Sequence, residues 1–380
     1  MGRGDISDLA AELGPEEAGK RFKRVVKEKM EESKWPNPER DHLNSNNSDD
    51  HEEKLFQELF SKYRRVVCTA EEFEAVEIIP RKPLIGNWMK EGDLGFIYGE
   101  RGSGKTWLVD AIATRTSTGV DLFEWSVPAA VDVMYVDGEM PGDDARDRIK
   151  GMSPGNKRLH ILHHDRLFEL TGLAMNLADK RVQRVITELC IEKSIKILIL
   201  DNLSCLFSGM KENDADEWEK VLSWLLDLRR RRIAVAIVAH ASRTGTMRGT
   251  SRREDAAFWV IKVEEIQNRE PGEKGAHFET VFTKQRNSES QEWARRWTFK
   301  TELNKEVSIG CEEISFDEKV LQLIQDGLTS ATEISEELTV AKSTVSKAAK
   351  RLVDKQLIEI SGKCYKPRGF MKKSNTQAQG

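Results

Sequence analysis

The segment LGFIYGERGSGKT, residues 94–106, decides the fold of this chain. Its second half, residues 99–106, matches the pattern G-x-x-x-x-G-K-[ST], and the helical pattern TWLVDAIA follows it directly. A strand, a glycine-rich loop and a helix in this order form a phosphate-binding loop, in which backbone N–H groups and the helix N-terminus face phosphate oxygens. Glycine is required because Cβ atoms would obstruct this approach. The segment therefore predicts the binding of a nucleoside triphosphate.

The loop residues have separate predicted roles toward ATP and Mg²⁺. Lys105 supplies a positive charge to the β- and γ-phosphates, and the small hydroxyl of Thr106 suits one coordination position on Mg²⁺. Such a loop alone does not separate kinases, GTPases and ATP-driven motors. The predicted nucleotide-binding residues are Gly99, Glu100, Arg101, Gly102, Ser103, Gly104, Lys105 and Thr106.

A second apolar run ends in an acid and predicts the other half of the site. In the run ILILD, Asp201 follows four apolar residues, which places a carboxylate at the end of a buried strand beside the metal. Residue 202 is asparagine, so the base that activates the attacking water has to come from elsewhere. The strand VDVMYVDGEM offers Glu139 for this role, with Asp137 as the competitor. We favour Glu139, because an aspartate at a strand end often only orders the turn.

The wider pattern predicts an α/β fold. From residue 76, short apolar runs alternate with helix-length amphipathic stretches, which is typical of a buried parallel sheet with helices between its strands. Strands are predicted over residues 94–98, 131–136, 197–200 and 233–239, with a helix over residues 214–230. After Asp255, three further strands come without long helices, which indicates an antiparallel extension of the same sheet.

Composition separates folded from unfolded segments. Hydrophobic residues make up 38% of the chain and charged residues 33%, which suggests a real core with solvated segments around it. Residues 1–54 are rich in charge, Pro, Asn and Ser, and are predicted to be a largely disordered tail or linker with one short charged helix over residues 16–30. A second disordered tail is predicted over residues 369–380.

Charge and hydropathy exclude several classes of protein. The net charge of −4 excludes coating of nucleic acid through bulk charge, so any basic surface has to be local. No apolar run is long enough for a transmembrane helix, and the start of the chain lacks the apolar core of a signal peptide. The protein is therefore expected to be cytoplasmic. The five cysteines form no CxxC pair and are assigned neither a metal nor a disulfide.

The carboxyl-terminal part predicts a winged helix-turn-helix over residues 313–368. Three helical patterns are followed by a hairpin pattern, and a turn over residues 339–341 precedes a helix that opens with Ser and Thr. Residues 342–380 carry ten Lys or Arg against two acids, a local charge of +8. The predicted DNA-binding residues of this helix are Lys342, Ser343, Thr344 and Lys347. Winged helices also mediate protein contacts, and that alternative stays open.

The order of the motifs over residues 79–299 resembles the RepA-like branch of the RecA-fold ATPases, relatives of the DnaB helicases and of KaiC/RadA proteins. PLIG and the phosphate-binding loop are followed by YVDGEMP, LILDNLSCL, VAH, RGTSRREDA and FTKQRN. The resemblance implies a RecA-like ATPase domain, placed over residues 55–305, that forms a ring, expected to be a hexamer. It also implies that His240, which ends an apolar strand, senses the γ-phosphate.

Two basic segments have roles that the resemblance implies. The segment 243–253 has four arginines and no acid, and it is expected to face the ring channel, where Arg243 and Arg248 would contact single-stranded DNA. A solvated loop is the alternative, and this chain lacks the second His and the Lys that many relatives carry after the strand. Lys284 and Arg286, two residues apart on a strand, would reach the ATP site of the neighbouring subunit. Two surface cations on an edge strand are the alternative there.

These features predict an ATP-hydrolysing motor that acts on DNA, a RepA-like plasmid or phage replicative helicase. Its cofactors would be ATP and Mg²⁺, and its partners would be single-stranded DNA through the ring and duplex DNA through the winged helix. Two alternatives stay open: a non-unwinding recombination, loading or regulatory ATPase of the KaiC/RadA kind, and a DNA-binding regulator controlled by ATP. A small-molecule kinase fits less well, because no substrate lid is evident and a winged helix would be unexplained.

Overall fold

The computed structural model describes residues 48–210, 215–242, 245–247, 252–266, 275–287, 294–338, 340–362 and 364–368. The chain divides into two units, Met1–Ile79 and Pro80–Gly380. The first unit contains the helices α1 (Ser48–Arg64) and α2 (Ala70–Glu74). Helix α1 begins inside the segment predicted to be a tail, while the rest of that segment lies outside the described residues.

The second unit holds the remaining elements. Its strands are β1 (Pro83–Ile85), β2 (Met89–Lys90), β3 (Leu94–Gly99), β4 (Val133–Asp137), β5 (Leu159–His163), β6 (Ile197–Asp201), β7 (Ala234–His240), β8 (Trp259–Glu265), β9 (Gly275–Gln285), β10 (Ala294–Thr301), β11 (Val307–Ile314), β12 (Ile358–Ser361) and β13 (Cys364–Pro367). Its helices are α3 (Lys105–Thr118), α4 (Gly142–Met152), α5 (His164–Thr171), α6 (Lys180–Glu192), α7 (Leu203–Leu206), α8 (Ala215–Arg230), α9 (Arg252–Ala256), α10 (Phe316–Gln325), α11 (Ala331–Glu337) and α12 (Lys342–Asp354). Within the described chain, every helix is too short or too polar to cross a lipid bilayer.

One sheet of nine strands forms the centre of this unit, in the order β11-β10-β9-β8-β3-β7-β6-β4-β5. The six strands from β8 to β5 in this order pair in parallel, and β9, β10 and β11 pair antiparallel. The predicted α/β fold with a parallel core and an antiparallel extension is therefore confirmed. The extension begins one strand later than predicted, because β8 pairs in parallel with β3.

The sheet is also wider than the sequence indicated. Strand β11 pairs with β10 from Val307 to Ile314, so the sheet continues beyond the predicted domain end at residue 305. Strand β5 forms the opposite edge of the sheet. Both edge strands mix half-buried with exposed residues, and polar residues or glycine interrupt their apolar side chains, so their signal in the sequence is weak.

Helices cover both faces of the central strands, which explains why these strands are continuously apolar. Phe96 and Ile97 are both fully buried, yet they belong to two different hydrophobic clusters. Successive side chains of a strand point to opposite faces, so β3 contributes to both cores at once. The phosphate-binding loop that follows β3 is therefore anchored at the most buried part of the sheet.

The residues 315–368, called the carboxyl-terminal module below, form three helices and the hairpin β12–β13. The third helix begins at Lys342, directly after the predicted turn over residues 339–341, and the module has its own apolar core, which includes Val320, Ile334, Val345 and Leu352. The side chain of Ser315 caps the first helix by accepting a hydrogen bond from a backbone N–H. The identification of this module as a winged helix stays a prediction.

The carboxyl-terminal module contacts strands β8 and β9 through ion pairs. The buried ammonium group of Lys319 lies 2.6 Å from a carboxylate oxygen of Glu279 and 3.4 Å from one of Glu264. On the next helix, Glu337 pairs with Lys262 at 3.1 Å. A buried ion pair requires strict geometry and adds little net stability. The Lys319 pairs therefore fix the position of the module on strands β8 and β9 more than they add to its free energy of unfolding.

Candidate active site

The carboxyl ends of the parallel strands meet at one edge of the sheet, where open α/β sheets bind ligands. Register places Gly99 beside His240, and Asp137 beside Asp201. A cleft of about 480 Å³ opens at this edge. It is lined by the predicted residues Arg101, Gly102, Gly104, Lys105, Thr106, Asp137, Glu139, Asp201 and His240.

The phosphate-binding loop has the conformation that only glycine allows at two of its positions. Gly102 has a φ of +78° and nothing within 4 Å of where a Cβ would stand, so its backbone is open to a ligand. Gly104 has a φ of +101°, and a Cβ there would lie 2.2 Å from the ring of Phe278 on β9. Among the described residues, no group bonds to the buried hydroxyl of Ser103. The open backbone and this hydroxyl both fit a phosphate group.

Lys105, the first residue of α3, turns its buried ammonium group toward its own loop. It donates a hydrogen bond of 3.1 Å to the carbonyl oxygen of Gly99 and another to that of Glu100. Burial lowers the pKa of Lys105, which means that the charged form is poorly solvated. A triphosphate would supply the negative charge that these uncharged carbonyl groups lack.

Thr106 and Asp201, the predicted Mg²⁺ ligands, are in contact in the structure. Both the Thr106 hydroxyl and the Tyr135 hydroxyl hydrogen-bond to the Asp201 carboxylate, the latter at 2.7 Å. Burial, together with the charges of Asp137 and Glu139, raises the pKa of Asp201 to about 6. The oxygen donors and the crowded negative charge fit Mg²⁺. Tyr135 was not predicted, although it is the one polar side chain within the apolar strand VMYV.

Glu139 faces the cleft from the turn after β4 and is held there by Asn202. The amide nitrogen of Asn202 donates to the Glu139 carboxylate and also lies 3.3 Å from Nε2 of His240. Asp137 instead accepts hydrogen bonds of 2.9 and 3.0 Å from the backbone N–H groups of Glu139 and Met140. Asp137 thus orders the turn, while Glu139 is directed into the cleft. In the sequence, Asn202 is visible only as the absence of an acid after Asp201.

A buried pair behind the loop was missed in the sequence. Asp110 of α3 is buried, and burial raises its pKa to about 8, with the nearby charge of Arg148 opposing this shift. The Arg148 guanidinium lies 3.4 Å from the Asp110 carboxylate and 4.1 Å from the centre of the Trp107 ring. Arg148 lines the cleft and brings a cation to its far side. The only signal in the sequence is an aspartate within an otherwise apolar helical stretch.

Lys284 and Arg286 lie at the other end of the sheet. Strand β9 begins at Gly275, which borders the cleft, and nine residues of extended strand carry Lys284 about 30 Å away. Lys284 donates to the carbonyl oxygen of Glu254, and Arg286 donates at 3.1 Å to that of Asp255, both in α9. Burial, together with the charge of Arg286, lowers the pKa of Lys284. The pair cannot act on the phosphates of its own cleft, and its action in a neighbouring subunit stays a prediction.

The predicted DNA-binding side chains of the carboxyl-terminal module are accessible. They lie at the start of α12, whose opposite face, with Val345 and Leu352, is buried in the core of the module. The helix begins without a side-chain cap, so its first N–H groups are open to an acceptor such as a phosphate oxygen. The exposed residues are Lys342, Ser343, Thr344 and Lys347.

The predicted basic loop over residues 243–253 does not extend to Arg253, which belongs to a helix. Arg243 and Arg248 lie outside the described residues. Arg253 belongs to α9, is buried, and stacks 5.0 Å from the ring of Trp218. The expectation that the whole segment is a flexible basic loop is therefore wrong at its end, because Arg253 covers an aromatic ring in the core.

Comparison with known proteins extends this description. Residues 61–246, slightly less than half of the chain, match the family model described as AAA domain. A search among curated proteins finds no match. Among solved structures, the chain is similar to the KaiC-like protein PH0186 of the hyperthermophilic archaeon Pyrococcus horikoshii OT3, with 14% identity and a TM-score of 0.43 over 61% of this chain and 100% of that one. It is also similar to the flagellar accessory protein FlaH of Methanocaldococcus jannaschii, with 13% identity and a TM-score of 0.40 over 58% of this chain and 90% of that one. The matched segment contains the phosphate-binding loop, Glu139, Asp201 and His240, and it supports a nucleotide-binding ATPase domain in this part of the chain.

Proposed function

We propose that this protein is an ATP-hydrolysing motor that acts on DNA, of the RepA-like replicative helicase type. The observation that carries the proposal is the position of Asn202, which contacts both Glu139 and His240. These contacts join the candidate base to the end of β7, and the segment that contains Arg243 and Arg248 directly follows β7 in the chain. A change at the γ-phosphate would therefore reach a basic segment through one side chain.

The residues of the cleft have different proposed roles in ATP hydrolysis. Lys105 would bind the β- and γ-phosphates, and Thr106 and Asp201 would hold Mg²⁺, which supplies charge stabilisation to the phosphoryl group when bound. Glu139 would accept a proton from the attacking water. Asn202 would orient that carboxylate by donating a hydrogen bond to it.

The segment after β7 supports coupling to DNA. The backbone of Ala241 pairs with that of Met247, and the hydroxyl groups of Ser242 and Thr246 lie 2.9 Å apart. These contacts begin one residue after His240. A movement of His240 would therefore also displace Ala241 and the Met247 backbone that pairs with it.

The carboxyl-terminal module supports DNA binding by a separate argument. Residues 342–380 have a net charge of +8 within a chain whose net charge is −4. Exposed cations at the start of α12 suit the phosphates beside a duplex groove. A hexameric ring, in which Lys284 and Arg286 complete the neighbouring site, would explain why both lie far from their own cleft.

A second candidate function has its own supporting observation. The ring of Phe278 packs against Gly104 of the phosphate-binding loop, and the next residue, Glu279, binds Lys319 of the carboxyl-terminal module. ATP binding could thus control the DNA affinity of the module without unwinding. This is the ATP-controlled DNA-binding regulator, and a non-unwinding loading ATPase of the KaiC/RadA kind would use the same cleft.

Strand displacement on a forked DNA substrate tests the proposal. We expect unwinding with ATP and Mg²⁺, and none with a non-hydrolysable ATP analogue or with the Glu139→Gln variant. Hydrolysis that single-stranded DNA stimulates without any unwinding would favour the loading ATPase. Duplex binding that depends on ATP, without either activity, would favour the regulator.

A further inference from the structure

Two histidines and one aspartate meet beside the cleft, and the three do not include the candidate Mg²⁺ ligands Thr106 and Asp201. His163 ends β5 and His164 begins α5, while Asp137 ends β4 and pairs with His163 across the two parallel strands. Each of the three residues offers one possible ligand atom, and these atoms lie within 4.8 Å of one another. In the part of the chain that the structure describes, this is the one group of His, Cys, Asp or Glu side chains with such geometry.

Each imidazole has one nitrogen engaged by an oxygen acceptor. Nε2 of His163 lies 2.8 Å from the carbonyl oxygen of Met140, and Nε2 of His164 lies 3.1 Å from the carboxylate of Asp165. Both acceptors lack a hydrogen to give, so each Nε2 carries the proton and each Nδ1 keeps a lone pair. Histidines that bind metals are typically held in this way, by an oxygen on the nitrogen that does not bind the metal.

The Nδ1 atom of His164 is an independent indication of a missing ligand. It is buried, and none of the described residues hydrogen-bonds to it. Nδ1 of His163 accepts only a long bond of 3.2 Å from the backbone N–H of Asp165, which a metal ion would displace. Asp137 uses Oδ1 for the two N–H groups of its own turn, and this leaves Oδ2 for a cation.

We propose that Asp137, His163 and His164 bind a Zn²⁺ ion. Two imidazole nitrogens and one carboxylate form a donor set that Zn²⁺ prefers, whereas Mg²⁺ prefers oxygen ligands alone. Asp137 and His163 also line a groove of about 800 Å³, which leaves room for water at the fourth tetrahedral position. This site is separate from the Thr106 and Asp201 pair and does not depend on the proposed function.

The ion would stabilise the turn that carries the candidate base. Asp137 bonds to the backbone of Glu139, and His163 bonds to the carbonyl group of Met140. Bringing Asp137 and His163 onto one cation would therefore fix both sides of this turn. Its effect on the orientation of Glu139 would come through the backbone of this turn.

Titration of the metal-free full-length protein with Co²⁺, in the absence of nucleotide, tests the proposal. Tetrahedral Co²⁺ with nitrogen ligands gives visible d–d absorption, and Zn²⁺ should displace it at one ion per chain. We expect His164→Asn to abolish this absorption. Asp165→Ala, which removes the acceptor of the outer hydrogen bond of His164, should weaken Co²⁺ affinity about 10- to 100-fold. Mg²⁺ in large excess should not compete.

The matched control is His160→Gln. His160 lies on the same strand as His163, but it pairs with Asp132 at 3.2 Å. This variant should bind Co²⁺ like the parent protein, with circular dichroism to verify that each variant is folded. Absence of the d–d absorption in the parent protein overturns the proposal. So does an absorption that survives in His164→Asn, or one that His160→Gln removes.

Discussion

Replacement of Asp201 with asparagine is expected to stabilise the protein at neutral pH while it removes a ligand for Mg²⁺. Asp201 is 3% exposed, and burial raises the pKa of its carboxyl group to about 6 from an ordinary value of 3.8. Asparagine has nearly the same shape, and its oxygen can still accept the hydrogen bond from Tyr135. The variant therefore loses the buried charge and little else.

The sign and size of the effect follow from linkage. The folded protein binds the Asp201 proton more tightly than the unfolded chain does, so its free energy of unfolding falls as pH rises from 3.8 to about 6. A difference of about 2.2 pKa units corresponds to about 3 kcal/mol. Asp201→Asn should thus gain about 1.6 kcal/mol at pH 5 and about 3 kcal/mol at pH 8.

Thermal unfolding followed by circular dichroism at pH 5 and pH 8, without nucleotide or Mg²⁺, measures this difference. For a domain of this size, 1 kcal/mol shifts the Tm by about 2 to 4 °C, so the gain should be about 3 to 6 °C at pH 5 and about 6 to 12 °C at pH 8. Asp144→Asn, at an exposed position of α4, serves as the control and should change the Tm little at either pH.

A variant that is less stable than the parent protein at pH 8 would contradict this reasoning. So would a Tm difference that does not grow between pH 5 and pH 8. Either result would mean that the Asp201 carboxylate is adequately solvated or paired in the folded protein. The crowding of acids in the cleft would then no longer argue for a cation.

Four other changes test the separate parts of the proposed motor. Lys105→Ala should abolish ATP turnover, because the phosphates lose the cation of the loop, and turnover close to that of the parent protein would contradict this. Glu139→Gln should still bind nucleotide but hydrolyse it about 10²- to 10⁴-fold more slowly; if Asp137→Asn has this effect and Glu139→Gln does not, the two roles are exchanged. Arg286→Ala should be a poor ATPase that partly recovers when mixed with Lys105→Ala, since some interfaces would then pair an intact loop with an intact arginine; co-assembled mixtures that stay inactive argue against action across subunits. Lys347→Glu should weaken duplex binding equally on unrelated sequences and reduce its salt dependence, and unchanged binding would point to a protein-contact role for the module.

The sequence alone determined the elements whose signals are local. The phosphate-binding loop was predictable because its chemistry needs glycines, a lysine and a hydroxyl within eight consecutive residues, between a strand and a helix. Asp201 was predictable because a buried parallel strand is a continuous apolar run, and an acid at its end is conspicuous. The edge strands β5 and β11 were missed, because His in β5 and Ser, Gly and Glu in β11 interrupt the apolar run that marks a buried strand.

Only the tertiary structure decided which side chains meet. Tyr135 reaches Asp201 because β4 and β6 pair in register, although 66 positions separate the two residues. Asn202 joins Glu139 to His240 for the same reason, and Phe278 reaches Gly104 because β9 returns to the sheet beside the loop. Each contact depends on strand order and register, which long-range packing of the core sets. Because burial also fixes the pKa values of Asp110 and Asp201, the electrostatics of the site were beyond the reach of any local pattern.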